Sequence, residues 1–243
     1  MKKEILTLST NRKIAKDVFE ATFTGDLSAI ERPGQFVNLT ISGCYLRRPL
    51  SVCDAEGDVL TLVYKVVGKG TEILSRAEKG EKFDTLIGLG NGFDVNKSGE
   101  YPLLIGGGVG VPPLYLLCRK LIEKGCKPTV ILGFNQKEEV FYEEKFRALG
   151  AKTIVTTADG SYGVKGYATD AMQGLSYTFF YTCGPMPMFR AVEKVAVGGG
   201  EYSFEERMGC GFGACMGCSC KTKYGSKRIC KDGPVLEREE IVW

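Results

Sequence analysis

Five of the ten cysteines in this 243-residue chain fall between Cys210 and Cys230, and they constrain the fold more than any other feature. Residues 205–243 are too few to bury a core of their own, so something covalent or metallic has to order them. Disulfides are the usual answer in small secreted domains. Here Met1-Lys2-Lys3-Glu4-Ile5 runs straight into alternating apolar and polar residues, without the continuous apolar core of an export signal. A chain this long with no such signal points to thiolate ligation of metal.

Cys210-Gly211-Phe212-Gly213-Ala214-Cys215-Met216-Gly217-Cys218 has gaps of four and then two residues. That is the spacing of plant-type [2Fe–2S] ferredoxins, which place a fourth cysteine further on. Cys230 is the natural fourth ligand. Gly209, Gly211, Gly213 and Gly217 interleave with the thiolates, letting the backbone wrap closely and turn N–H groups toward sulfur. Cys220 lies outside the pattern. If residues 219–222 are extended, its side chain points away, and it reads as a buried free thiol. The competing chemistry is a structural zinc with four cysteine ligands. Such ligands come as two C-x2-C-like pairs, whereas here the first gap is four residues and the last pair is absent.

Composition narrows the chemistry further. Histidine is absent, which removes Ser-His-Asp and Cys-His mechanisms and histidine as a metal ligand. With 32 basic and 29 acidic residues the net charge is +3, too balanced for a phosphate-driven nucleic-acid binder. No run of about 20 apolar residues is present, so no membrane span is expected, and the expected location is cytoplasmic.

Three segments follow one another. Residues 1–97 read as short strands (5–8, 18–24, 36–41, 46–53, 59–67 and 83–88) separated by turn formers such as Pro33-Gly34, with a short helix over 71–77 capped by Thr71. Such strands suit a small antiparallel β-barrel, because closure removes exposed edges. Residues 98–202 alternate strands (103–106, 129–134, 152–156, 178–183) with helices (114–123, 143–149, 188–195). That rhythm predicts a parallel α/β domain with helices on both faces. Residues 203–243 form the small iron–sulfur domain. The fold class is α/β plus all-β.

Gly106-Gly107-Gly108-Val109-Gly110-Val111-Pro112-Pro113 follows a strand and opens a helix, so a pyrophosphate could approach the backbone there. It is not a G-x-G-x-x-G fingerprint, since Val111 stands where the last glycine belongs. Cys183-Gly184-Pro185 ends another parallel strand, where α/β sheets bind ligands. By itself Cys183 reads as a small buried hydrophobe. Arg48-Pro49-Leu50-Ser51 lies in the barrel, and Gly68-Lys69-Gly70-Thr71 could offer N–H groups to a second phosphate.

Taken in order, these pieces resemble the ferredoxin–NADP reductase superfamily, in which an antiparallel FAD-binding barrel precedes a nucleotide-binding α/β domain. Arg48–Ser51 resembles its flavin motif, with Leu50 in place of the stacking aromatic. Gly106–Pro113 resembles its nicotinamide loop, and Cys183-Gly184-Pro185 its Cys-Gly-Pro motif. Glu206-Arg207-Met208-Gly209-Cys210 through Cys220, then Cys230-Lys231-Asp232-Gly233-Pro234-Val235, narrow this to the family of dihydroorotate dehydrogenase B electron-transfer subunits, the PyrK family.

The resemblance implies an oxidoreductase subunit of pyrimidine biosynthesis. FAD would be contacted by Arg48, Pro49, Leu50, Ser51, Val63, Tyr64, Lys65, Gly70 and Thr71. NAD(H) would be bound by Gly106, Gly107, Gly108, Val109, Gly110, Cys183, Gly184 and Pro185, with Cys183 bordering the nicotinamide. Cys210, Cys215, Cys218 and Cys230 would ligate one [2Fe–2S] cluster. A separate FMN-containing subunit would oxidise dihydroorotate, in a heterotetramer of two of each chain, and electrons would pass through the cluster and FAD to NAD⁺. Cofactors would do the hard steps, which suits a chain without histidine. After the second α/β strand come Asn135-Gln136-Lys137-Glu138-Glu139, carboxylates without an arginine, which favours NAD over NADP.

Two other readings stay open at this point. One is a related reductase subunit serving ferredoxin or a sulfur compound. The other is a zinc-stabilised nucleotide-binding regulator without redox chemistry. Lys221, Lys223, Lys227 and Arg228 surround an expected hairpin and read first as a solvated turn, second as a docking surface for the FMN subunit.

Overall fold

A computed structural model describes residues 1–243. Six strands, β1 (Lys2–Ala15), β2 (Val18–Thr24), β3 (Phe36–Leu39), β4 (Arg48–Glu56), β5 (Val59–Lys65) and β6 (Lys82–Leu89), close a barrel in the order β1-β2-β5-β4-β3-β6. Every pairing is antiparallel. Alternation decides what goes inside: Phe83, Thr85, Ile87 and Leu89 of β6 are buried while their neighbours are not. Leu6, Leu8, Phe23, Val37, Leu39, Leu60 and Leu62 join them. Each such side chain contributes about 1.5–3 kcal/mol on burial.

β1 continues seven residues past the expected end at Leu8. Its polar second half has no apolar alternation to announce it, but Thr10–Lys13 pair residue by residue with β2. The short helix α1 (Lys69–Ser75) begins earlier than expected, and Thr71 is not its N-cap. Gly68 takes that place with extended backbone. Thr71 caps from inside the first turn, its Oγ1 accepting the N–H groups of Val67 (3.0 Å) and Gly68 (3.3 Å).

The second body is a sheet of β7 (Leu103–Gly107), β8 (Thr129–Phe134), β9 (Lys152–Thr157), β10 (Val164–Lys165), β11 (Phe180–Cys183) and β12 (Gly200–Ser203), parallel throughout in the order β10-β9-β8-β7-β11-β12. Helices α2 (Pro113–Glu123), α3 (Glu143–Ala148), α4 (Ala168–Met172) and α5 (Met186–Val195) cover it. Alternate strand residues feed two apolar layers. Leu104, Val130, Leu132 and Tyr181 pack with α2 and α3, while Leu103, Ile105, Ile131 and Phe180 pack with α4 and α5. The strand order turns around between β7 and β11, and a crevice opens at such a reversal.

The tail contains a hairpin, β13 (Ser219–Thr222) and β14 (Gly225–Arg228), and then returns to the sheet. Its last strand, β15 (Val235–Glu237), lies antiparallel on β12, pairing Ser203 with Val235 and Glu201 with Glu237. Asn91, just after the barrel, fastens this return. Its side chain donates to the Val235 carbonyl (2.7 Å) and accepts the Val235 N–H (3.1 Å). Barrel and sheet meet at Glu20, a nearly buried carboxylate that accepts hydrogen bonds from Tyr142 (2.5 Å), Arg12 and Lys145.

Candidate functional site

The reversal between β7 and β11 holds a crevice of about 620 Å³, within the range of small-molecule sites. Gly107, Gly108, Val109 and Gly110 form one wall and Gly184, Pro185 and Met188 the other. The walls approach so closely that a Cβ on Gly110 would lie 2.2 Å from the Cys183 carbonyl oxygen. Only glycine permits that approach, which is how the loop exposes backbone to a ligand. Gly133, Phe134, Asn135, Thr156 and Tyr167 continue the crevice beyond. Thr156 Oγ1 is fully buried and without a protein partner, and a ligand hydroxyl or phosphate would satisfy it.

Gly106 lies outside this lining. Its α-carbon packs beneath Val111 and Leu114, so it serves the strand-to-helix contact rather than a ligand.

A second cavity, of about 370 Å³, lies between the barrel and the end of β12. Arg48, Pro49, Leu50 and Ser51 from β4, Val63, Tyr64 and Lys65 from β5, and Thr71 line the barrel side. Cys183, Ser203, Phe204, Glu205 and Met208 line the other. Lys65, Val109 and Glu205 border both cavities, so the two adjoin. The Arg48 guanidinium donates only to backbone carbonyls, those of Leu46 (2.6 Å) and Arg47 (3.4 Å), which leaves its charge without a carboxylate. Gly70 does not reach the cavity; it sits against Arg48, where a Cβ would meet Nε at 2.2 Å. Cys183 belongs to this cavity while Gly184 and Pro185 belong to the first, so the three residues straddle the junction. Burial pushes the Cys183 thiol well above its ordinary range, which keeps it protonated.

Two residues beyond Met208, the cysteine loop begins. Its four thiols meet as two pairs. Cys210 Sγ accepts the N–H groups of Ala214 (3.2 Å) and Cys215 (3.4 Å), and Cys215 Sγ accepts that of Cys210 (3.5 Å). Cys218 Sγ accepts the Cys230 N–H at 3.4 Å. Burial raises the Cys210 thiol, but N–H donors from Cys215, Phe212 and Ala214 outweigh it and bring the thiol down to about 6. Burial and the neighbouring Cys218 push Cys230 the other way. None of the ten cysteines forms a disulfide. No group of three or more cysteine or carboxylate side chains closes on a single point. Two thiolates on each of two irons would match this pairing.

Cys220, on β13 opposite Lys227, does not stand apart from the pairs as expected: it packs against the apolar cluster that includes Cys218 and Cys230, and it is half-buried rather than buried. The solvated-turn reading of the basic residues needs a similar correction. Lys227 pairs with Glu240, and Lys223 Nζ donates to the Glu239 carbonyl. Arg228 is held by Asp232 (2.9 Å) and donates to the Gly213 carbonyl (3.0 Å), which ties the hairpin to the cysteine loop. Thr156, Lys65 as a shared wall and Asn38 near Cys210 carry no motif that would have marked those placements in the sequence.

Comparison with known proteins agrees with this geometry. Residues 205–242 match the family described as the iron–sulfur cluster binding domain of dihydroorotate dehydrogenase B, and residues 104–194 match the oxidoreductase NAD-binding domain family. The dihydroorotate dehydrogenase B (NAD(+)) electron transfer subunit of Bacillus pumilus is 44% identical, with 99% of this chain and 98% of that protein covered. Its counterpart in a Geobacillus species is 43% identical over 100% and 99%. Among solved structures, an NADH-dependent reduced ferredoxin-NADP oxidoreductase superposes with a TM-score of 0.89 at 31% identity, covering 98% of this chain and 90% of that one. Phthalate dioxygenase reductase shares the fold, with a TM-score of 0.64 at 17% identity over 79% of this chain and 63% of that one.

Proposed function

This chain belongs to the family of electron-transfer subunits of NAD(+)-dependent dihydroorotate dehydrogenase B, and on that premise we propose how its residues divide the work. Residues 1–97 hold FAD, 98–202 hold NAD(H), and 203–243 hold a [2Fe–2S] cluster. When bound, these groups supply hydride exchange between flavin and nicotinamide and single-electron passage between flavin and iron.

Arg48 would neutralise the flavin pyrophosphate, since no carboxylate competes for it. Pro49, Leu50, Ser51, Val63, Tyr64 and Lys65 would form the wall beside the flavin, with Leu50 giving an aliphatic contact. Gly107–Gly110 would admit the nicotinamide pyrophosphate, and Thr156 would donate to it or to a ribose. Cys183, kept as a neutral thiol, would line the place where the two cofactors meet and exclude water there. NAD rather than NADP fits the second-strand end, where Glu139 lines the crevice and Lys137 lies 5.9 Å from the Tyr162 ring. Cys210 with Cys215 would hold one iron, and Cys218 with Cys230 the other.

The ligand loop presents Phe212, Met216 and Cys215 to solvent, an apolar patch on the loop itself. A catalytic partner would dock there, and we take it to be an FMN subunit that oxidises dihydroorotate, two of each chain per complex. No helix is long and apolar enough to cross a membrane. A cytoplasmic site of action suits ten unbridged cysteines.

The observation that carries this reading is the pairing of four thiols in a loop that begins two residues after Met208, which lines the barrel-side cavity adjoining the dinucleotide crevice. The test is an absorption spectrum of anaerobically purified complex before and after NADH, with iron, labile sulfide and FAD measured per chain. Bleaching of both flavin and iron–sulfur bands, with orotate reduction in the complex, supports it. A colourless protein containing zinc overturns it in favour of a regulator.

A further inference from the structure

We propose that Asn38 is a positioning residue that holds the Cys210 segment of the cluster loop against the flavin-binding barrel and thereby sets how fast electrons pass between the two cofactors. The proposal rests on the functional reading above, and it concerns a residue that no sequence motif marks.

Strand β3 is read in alternate residues. Val37 and Leu39 point into the barrel core, so Phe36 and Asn38 point out of it on the same side. That side faces the tail. Phe36 lines the flavin cavity and belongs to the same apolar cluster as Cys218 and Cys230. Asn38, one pleat further on, is 1% exposed and its Nδ2 donates to the Cys210 carbonyl at 3.4 Å. The fit leaves no slack. A Cβ on Gly211 would stand 2.4 Å from Asn38 Nδ2, and Gly211 has a φ of +78°, so the loop is shaped to let this side chain in.

The orientation of the amide is fixed by its neighbour, because turning it over would set two carbonyl oxygens against each other. In this orientation Oδ1 is buried without any partner. An orphaned buried acceptor weakens a fold, and leucine, of similar shape, would remove both donor and orphan. Folding alone therefore does not call for asparagine here. What it does provide is a direct hydrogen-bonded link from a flavin-lining strand to the backbone of an iron ligand. With both groups bound, single electrons would cross this gap, one lost by the flavin for each one gained by iron or the reverse, with no bond made or broken. The rate of such a step falls steeply with separation, so a residue that fixes the separation controls it.

The test compares the wild-type complex with Asn38→Leu. The readouts are FAD, iron and sulfide content, thermal midpoint, the electron paramagnetic resonance spectrum and midpoint potential of the reduced cluster, and stopped-flow traces with NADH. The expected result is full cofactor content, an equal or higher thermal midpoint, unchanged flavin reduction, a shifted or broadened cluster spectrum, and flavin-to-cluster transfer slowed about tenfold. Gly211→Ala, which pushes the same contact apart from the loop side, should alter the spectrum in the same way, and it serves if Asn38→Leu does not assemble. Unaltered spectrum, potential and transfer rate in these variants overturn the proposal. Wild-type protein without iron overturns the functional reading instead, and this inference with it.

Discussion

In residues 1–204 the holding is done by large side chains in apolar layers: Phe23 against Phe83 inside the barrel, Phe189 against Tyr202 and Phe204 beside the sheet. In residues 205–243 the buried apolar side chains are only Cys218, Ile229, Cys230, Pro234, Val235, Leu236 and Ile241, and two of those are proposed iron ligands. The tail leans instead on paired thiols, on Arg228 with Asp232, and on a strand lent to another body's sheet. The difference teaches that one chain can contain a region held by its own apolar layers and a segment that buries little and would lean on what it binds.

The sharpest way to break this comparison is Cys218→Ser. Iron should fall to background, and residues 205–234 should become the first site of limited proteolysis, while the thermal midpoint of the rest holds. Loss of the whole fold together would mean that the two regions are not separable. Phe189→Ala attacks the other side: emptying that layer should cost about 3–5 kcal/mol, seen as a fall in thermal midpoint of roughly 10 °C, with the cluster spectrum of the folded fraction unchanged.

Next in size is a pH effect at the seam between the regions. Glu201 on β12 faces β15, and burial, opposed by the Asp94 N–H and Lys97, raises its carboxyl from 4.5 to about 7. Between those values the folded state keeps a proton that the unfolded chain has lost, so stability declines as pH rises through this window and levels off above it. The full effect is about 3 kcal/mol. Thermal midpoints against pH should show the decline, and Glu201→Gln should flatten it. Smallest is Thr71→Ala, which removes the internal cap of α1 and should cost about 1 kcal/mol in chemical denaturation without touching the iron spectrum.

The body was the more legible region. β2 and β8 run between the residues that periodicity assigns, because each buries a face or lies wholly inside. Thr71 sits at the third helical position rather than at the N-cap, because a hydroxyl can take up free N–H groups from either place and spacing alone does not separate the two. β15 escaped notice for another reason: Val235-Leu236-Glu237 is too short to show alternation, and its partner is a strand more than thirty residues away. The gaps among Cys210, Cys215 and Cys218 are legible because they are local, whereas how the thiols group in space is not. Asn38 and Thr156 announced nothing, because their neighbours in space are remote in sequence.

The return of β15 to β12 has one more effect. Phe204 N donates to the Pro234 carbonyl at 2.8 Å, so the segment carrying all four thiols leaves the sheet and rejoins it at adjacent residues. Its ends are pinned whether or not metal is present, and most of the entropy of bringing distant cysteines together is already spent. Loss of an inorganic core would then leave its ligand segment tied to the sheet at both ends, so iron and sulfide would return to a closed loop rather than to a free chain.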